Sequence, residues 1–167
     1  MTKDFSFERP DLELIAGVDE VGRGPFAGPV VAAAVILSPD HLPEGIQDSK
    51  KLSRSRREGL AAEILASADV GIGEATVSEI DDLNILRATF LAMRRALDGL
   101  KTTADNLLVD GNRDPKLGLP TRLVVKGDNL SLSIAAASIV AKVTRDAKMC
   151  DLAKQYPHYG WEKNAGY

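Results

Sequence analysis

Three apolar segments of this chain each run straight into an aspartate: Leu14-Ile15-Ala16-Gly17-Val18-Asp19, Asn106-Leu107-Leu108-Val109-Asp110, and Thr121 to Val125 followed by Lys126-Gly127-Asp128. A strand interior is a poor place for a charge, because burying an unpaired carboxylate costs several kcal/mol or forces it to stay protonated. Acids that stop strands therefore imply a sheet whose strand ends meet at a site that wants negative charge. The first segment doubles the signal, since Glu20 follows Asp19 and Gly22-Arg23-Gly24 comes directly after. A glycine-rich turn with one arginine suits a ligand that carries phosphates.

The rest of the chain supplies the frame for such a sheet. The first strand is expected at about 12–19, and Pro29 to Leu37 reads as a second. Ser53 or Ser55 caps a helix to about Ala66, with Ser55 and Glu58 at capping-box spacing. Val70 to Val77 is a third strand. Ser78 and Asp81 form another capping box, opening one long helix to about Leu97 with the stripe Leu83, Leu86, Phe90, Met93 and Leu97. After the strands at 106–109 and 121–125, the pattern from Leu130 to about Lys154 is helical and starts on small residues. The order β-β-α-β-α-β-β-α points to an α/β fold with a mixed sheet flanked by helices.

At 167 residues the chain fits one domain spanning 1–167. Its 44% hydrophobic and 27% charged residues are ordinary for a globular protein. No stretch is long and apolar enough to span a membrane, and Lys3-Asp4-Phe5-Ser6 offers no signal-peptide core. A lone Cys150 excludes an internal disulfide and suggests a reducing, cytoplasmic setting. One cysteine with only His41 and His158 also argues against zinc. The net charge of −3 argues weakly against nucleic acid, but Lys50, Lys51, Arg54, Arg56 and Arg57 fall within eight positions. That cluster reads equally well as a phosphate-contacting surface or a solvated helix start.

Any one of the three aspartates read alone is best explained as a turn or helix cap. Three occurrences of the same grammar, one with an added glutamate, reverse that judgement. Four converging carboxylates would repel one another unless hard divalent cations joined them, and Mg²⁺ prefers oxygen ligands together with water and substrate phosphate. Two such ions suit an in-line phosphoryl displacement by water. Asp81, Asp82, Asp146 and Asp151 read as helix-start or solvated-face acids.

These motifs together resemble ribonuclease HII, the type 2 ribonuclease H, over almost the whole chain. The resemblance rests on Gly17-Val-Asp-Glu-Val-Gly-Arg-Gly24, Asp48-Ser-Lys-Lys-Leu-Ser53, Leu108-Val-Asp-Gly111, Lys126-Gly-Asp-Asn-Leu-Ser131 and Ile134-Ala-Ala-Ala-Ser-Ile139. It implies a ribonuclease H-like fold and a metal site of Asp19, Glu20, Asp110 and Asp128 holding two ions, Mg²⁺ or Mn²⁺. It also implies that Gly22, Arg23 and Gly24 read a ribose 2′-hydroxyl largely through backbone groups, and that Tyr167 packs on the next deoxyribose. Ser49 and Lys50 are implied backbone contacts to the substrate.

The implied activity is a monomeric, metal-dependent endonuclease acting on RNA/DNA hybrids and on DNA duplexes with embedded ribonucleotides. Cleavage is expected 5′ to the ribonucleotide. Proteins of this family usually continue past the Gly-Tyr pair, whereas this chain stops at Tyr167, and Ala165 stands where a lysine is common. Weaker substrate holding is the corresponding expectation, and the alternative reading is a hybrid-binding module whose activity is lost or reduced by truncation. A DNA exonuclease or junction resolvase with a similar acidic cluster is a further rival, but it has no use for a 2′-hydroxyl reader.

Overall fold

A computed structural model describes residues 7–8 and 13–167. Residues 3–6 and the start of the first predicted strand, at residue 12, lie outside them. Five strands form one sheet in the order β3-β2-β1-β4-β5. They are β1 (Ile15–Val21), β2 (Val30–Ile36), β3 (Asp69–Ala75), β4 (Asn106–Asp110) and β5 (Thr121–Val124). The first three pair antiparallel, while β4 runs parallel to both β1 and β5, so the sheet is mixed as the element order implies.

Interior strand β2 is Val-Val-Ala-Ala-Ala-Val-Ile and is buried along its whole length, which marks a strand covered on both faces. On one face lies α3 (Ile85–Asp98). On the other lie α1 (Arg54–Ser67) and the 24-residue α4 (Leu132–Gln155). Small residues set the spacing of these layers. The glycine at 17 has no room for a side chain, because a Cβ there would fall 2.2 Å from the Ser133 carbonyl carbon and 2.4 Å from the Ile134 nitrogen. The small-residue start of α4 therefore presses directly onto the strand that carries Asp19.

The long helix expected after residue 78 is two helices. α2 (Val77–Leu83) ends at Asn84, whose φ of 71° breaks the turn, and the Asn84 side chain then caps α3 by accepting from the Leu86 and Arg87 amides. The capping box belongs to Thr76 and Glu79 rather than to Ser78 and Asp81, because the ladder to β2 ends at Ala75 opposite Val30. Ser53 is the cap of α1, accepting from the Arg56 amide. The face of α3 that reaches the sheet is the alanine line Ala88, Ala92 and Ala96, with Phe90 and Leu97 only partly buried beside it. Of the expected stripe, Met93 is buried in the core and Phe90 and Leu97 pack at its edge, while alanines make the closest approach because the helix lies so close to β3. A Cβ on Gly73 would fall 2.1 Å from the Ala92 carbonyl oxygen. Among the described residues, no helix is long and apolar enough to cross a membrane.

Candidate active site

Register places the first two aspartates side by side. Gly17 pairs with Leu108 and Val18 with Val109 in parallel strands, so Asp19 and Asp110 occupy the next pair of same-face positions. β1 continues two residues beyond Asp19, so Glu20 also belongs to the strand rather than to the turn after it. Alternation sends Glu20 from the opposite face, yet its position at the strand end keeps it within electrostatic reach of Asp110. Asp128 arrives by another route. β5 stops at Val124, Lys126 takes a left-handed conformation with φ of 56°, and a single 3-10 turn over Gly127–Asn129 carries Asp128 inward. Asp19 and Asp128 are 6% and 7% exposed, so both charges lie out of water.

The proton affinities record how the four acids sense one another. Burial raises the Asp19 carboxyl well above its usual range, and the charges of Glu20, Asp110 and Asp128 push the same way. Glu20 is also raised by burial, against the opposing pull of the Arg23 guanidinium 3.3 Å away. Asp110 is raised by burial and by Asp128, with the Gly127 amide and the Lys50 charge partly offsetting this. All four predicted acids thus belong to one electrostatic cluster.

Their chemistry fits a hard cation: an all-oxygen donor set, raised proton affinities at Asp19, Glu20 and Asp110, and a Glu20 Oε2 that is buried with no hydrogen-bond partner among the described residues. As oriented here the side chains do not yet close on one ion. Among the described residues no three His, Cys, Asp or Glu groups are gathered tightly enough to hold a metal. Protein donors explain this, since each carboxylate gives one oxygen to a neighbour. Asp19 Oδ1 accepts from the Glu20 amide at 2.7 Å, Asp110 Oδ1 from the Gly127 amide at 2.6 Å, Asp128 Oδ1 from Asn129 Nδ2 at 2.9 Å, and Glu20 Oε1 from Arg23. Binding an ion would require side-chain turning at fixed strand ends.

Beside the acids lies the glycine-rich turn. Gly22 has φ of 107°, and a Cβ there would meet the Pro29 carbonyl oxygen at 2.5 Å and Arg145 Nε at 2.6 Å, so only glycine fits. Gly24 is exposed, and the ring of Tyr167 lies 3.5 Å from where its Cβ would be. The turn and the aromatic that the resemblance assigns to sugar recognition are therefore neighbours, although 143 positions separate them in sequence. Backbone bonds from the Phe26 and Ala27 amides to the Gly166 carbonyl hold them together.

Arg145, which the sequence reading passed over, locks this junction. It is fully buried, and its guanidinium donates to the carbonyls of Pro29, Ala165 and Ala27 at 2.9, 2.7 and 2.8 Å. Its sequence signal is faint, as it looks like one more charge in a solvated helix turn.

The Asp48-Ser-Lys motif also adjoins the site, with a division of labour. Lys50 is exposed and its charge reaches Asp110. The Ser49 hydroxyl is instead buried, accepting from Ser138 Oγ at 2.8 Å, so this residue has only backbone to offer a ligand. Lys51 bonds to the Asn129 side chain next to Asp128. Arg54 and Arg56 pair with Glu58 and Glu63 of α1, and Arg57 with Asp146 of α4, which ties that part of the basic cluster to acids outside the four. Glu74 pairs with Lys148, away from the four acids.

A mixed five-stranded sheet between helical layers, with acids at the ends of adjacent strands, defines an α/β protein of the ribonuclease H-like class. The family model for ribonuclease HII matches residues 16–167, and the chain belongs to that family of nucleases. Ribonuclease HII of Jannaschia sp. is 61% identical over 168 residues, which covers all of this chain and 84% of the relative. Ribonuclease HII of Paramagnetospirillum magneticum is 60% identical, covering 95% of this chain and 84% of the relative. Among solved structures, ribonuclease H2 from Pyrococcus horikoshii superposes with a TM-score of 0.79 at 30% identity, over 92% of this chain and 80% of that one. Ribonuclease HII from Archaeoglobus fulgidus, solved in complex with PCNA, gives 0.72 at 31% identity over 86% and 78%.

Proposed function

We propose that this protein is an endonuclease that hydrolyses the RNA-containing strand of RNA/DNA hybrids and of DNA duplexes with embedded ribonucleotides. It cuts 5′ to the ribonucleotide and leaves 3′-hydroxyl and 5′-phosphate ends. The observation that carries this reading is the electrostatic cluster of Asp19, Glu20, Asp110 and Asp128 at the end of adjacent strands, next to the Gly22–Gly24 turn. Membership of the ribonuclease HII family supports the reaction class.

Asp19, Glu20, Asp110 and Asp128 would hold two divalent cations, Mg²⁺ or Mn²⁺, which supply positive charge to the attacking water and to the leaving oxygen. The protein's own groups do the rest. The backbone of Gly22, Arg23 and Gly24 approaches the ribose and senses its 2′-hydroxyl, the group that distinguishes RNA from DNA. Tyr167 covers the following deoxyribose. Lys50 adds a cation near the phosphate without neutralising the acids outright. Arg23 partly offsets the rise in proton affinity that burial imposes on Glu20. No side chain forms a covalent intermediate; water is the nucleophile. The protein works as a cytoplasmic monomer with a nucleic-acid duplex as its partner.

The test is a pair of 5′-labelled DNA duplexes, identical except for one ribonucleotide, incubated with Mg²⁺ or with EDTA. A single cut on the 5′ side of the ribonucleotide, absent from the all-DNA duplex and from the EDTA reaction, supports the reading. Equal cutting of both duplexes overturns the sugar-reading role of the turn. Binding without cutting at saturating protein overturns the catalytic one.

A further inference from the structure

Two residues ahead of the sheet are seated against the turn that carries Asp128. Phe7 packs beside the Leu108, Val124 and Ile134 cluster, with the Arg122 guanidinium 4.7 Å from its ring centroid. Next to it, Glu8 is 2% exposed, an expensive place for a carboxylate, and among the described residues no cation pairs with it. Its Oε1 instead accepts three hydrogen bonds at the start of α4: from Ser131 Oγ at 2.5 Å, from the Ser133 amide at 2.9 Å and from Ser133 Oγ at 2.8 Å. Both serines are completely buried. A negative charge suits this helix end, but the helix is already capped, because Ser131 Oγ accepts from the Ile134 amide at 3.1 Å. A second cap brought from 123 positions away needs another reason.

The reason lies in what the gripped residues carry. The amides of Leu130 and Ser131 donate to the Gly127 carbonyl at 2.9 and 2.8 Å, which closes the turn around Asp128. The Gly127 amide donates in turn to Asp110 Oδ1. Ser133 is the residue against which Gly17, two before Asp19, is packed. One short stretch, Gly127–Ser133, therefore carries Asp128, donates to the carboxylate of Asp110 and packs against β1 two residues before Asp19, and Glu8 holds its far end.

We propose that Glu8 is a positioning residue for the acid cluster, its carboxylate clamping Ser131 and Ser133 so that Asp128 and Asp110 keep fixed relative places. The functional consequence rests on the reading of that cluster as a cation site, while the clamp itself rests on the contacts above. Glu8→Ala removes the acceptor, whereas Glu8→Gln keeps one oxygen in place without the charge.

The experiment uses the full chain without metal and follows amide hydrogen exchange in the wild type and both variants, then titrates each with Mn²⁺ alone. In Glu8→Ala, exchange at Gly127, Leu130 and Ser131 should quicken by about tenfold or more while β2 amides hold steady. Mn²⁺ half-saturation should rise by about tenfold, the scale on which groups behind a metal ligand act. Glu8→Gln should recover most of both. Unchanged exchange at 127–131, or an equal rise in β2, overturns the clamp. Faster local exchange with unaltered Mn²⁺ binding overturns the positioning role. A wild type that binds no Mn²⁺ would instead overturn the proposed function, with the exchange data still deciding the clamp.

Discussion

Asp110 Oδ1 accepts a 2.6 Å hydrogen bond from the amide of Gly127, the residue immediately before Asp128. One acid is thereby latched to the backbone that delivers another, across 17 positions of sequence. The latch also leaves Gly127 without room: a Cβ there would meet Ile134 Cδ1 at 2.5 Å, Val124 Cβ at 3.2 Å and the Asp110 oxygen at 3.4 Å.

Gly127→Ala should therefore cost about 1–3 kcal/mol of stability, the usual range for overpacking a tight interior. Its effect on cleavage should be larger than its effect on folding if the crowding is relieved by moving the turn that carries Asp128 rather than by Ile134 swinging aside. Urea unfolding and single-turnover cleavage measured on the same preparation check this. A variant as active as the wild type would show that the latch does not position the acids.

Arg145 offers a test of what holds the glycine-rich turn against the segment that ends in Tyr167. Replacing it by alanine leaves three carbonyls without their donor, and each unsatisfied buried group costs about 1–3 kcal/mol. The expected loss is about 3 kcal/mol or more by urea unfolding. Arg145→Lys should rescue little, since one ammonium cannot reproduce the planar fork that reaches Pro29, Ala27 and Ala165 together. Near-complete rescue by lysine would mean that charge, not the fork, matters there.

How much of this was readable beforehand depends on the range of the interactions. Asp19 and Asp110 were legible because an apolar run ending in an acid is a local pattern, and adjacent strands then fix their proximity. Asp128 was legible as a member of the acid cluster although it sits beyond the strand, in a turn that the left-handed Lys126 opens. The break at Asn84 was not legible, since Val77 to Asp98 holds no Gly or Pro to mark a stop and the asparagine's φ of 71° interrupts it. Arg145 and Glu8 were invisible for a different reason. Each looks like a surface charge until loops more than 100 positions away cover it.

The raised proton affinities predict a pH dependence with a definite sign. An unfolded Asp titrates near 3.8, whereas native Asp19 keeps its proton to a higher pH, chiefly because it is buried. Between those two points the native state binds more protons than the unfolded one, so stability falls as pH rises through that interval. Without metal, this carboxyl should make the protein lose stability as pH rises above about 4, and Mg²⁺ should restore it. Asp19→Asn should flatten this slope and be more stable than the wild type at pH 7 in EDTA, because it removes the carboxyl whose charge burial disfavours. Urea midpoints across pH, with EDTA and with Mg²⁺, give the answer, and a steeper slope in the variant would contradict the account.

The most direct measurement compares wild type with Asp19→Asn, Glu20→Gln, Asp110→Asn and Asp128→Asn in single-turnover cleavage of a duplex bearing one ribonucleotide, with duplex affinity measured in parallel. The account expects Mg²⁺-dependent cutting 5′ to the ribonucleotide by the wild type. It expects losses of about a hundredfold or more in each variant, on the scale of removing one strong transition-state contact, with duplex affinity nearly unchanged. Wild-type cutting rates in Asp19→Asn or Asp110→Asn would contradict the claim that these strand ends form the catalytic site.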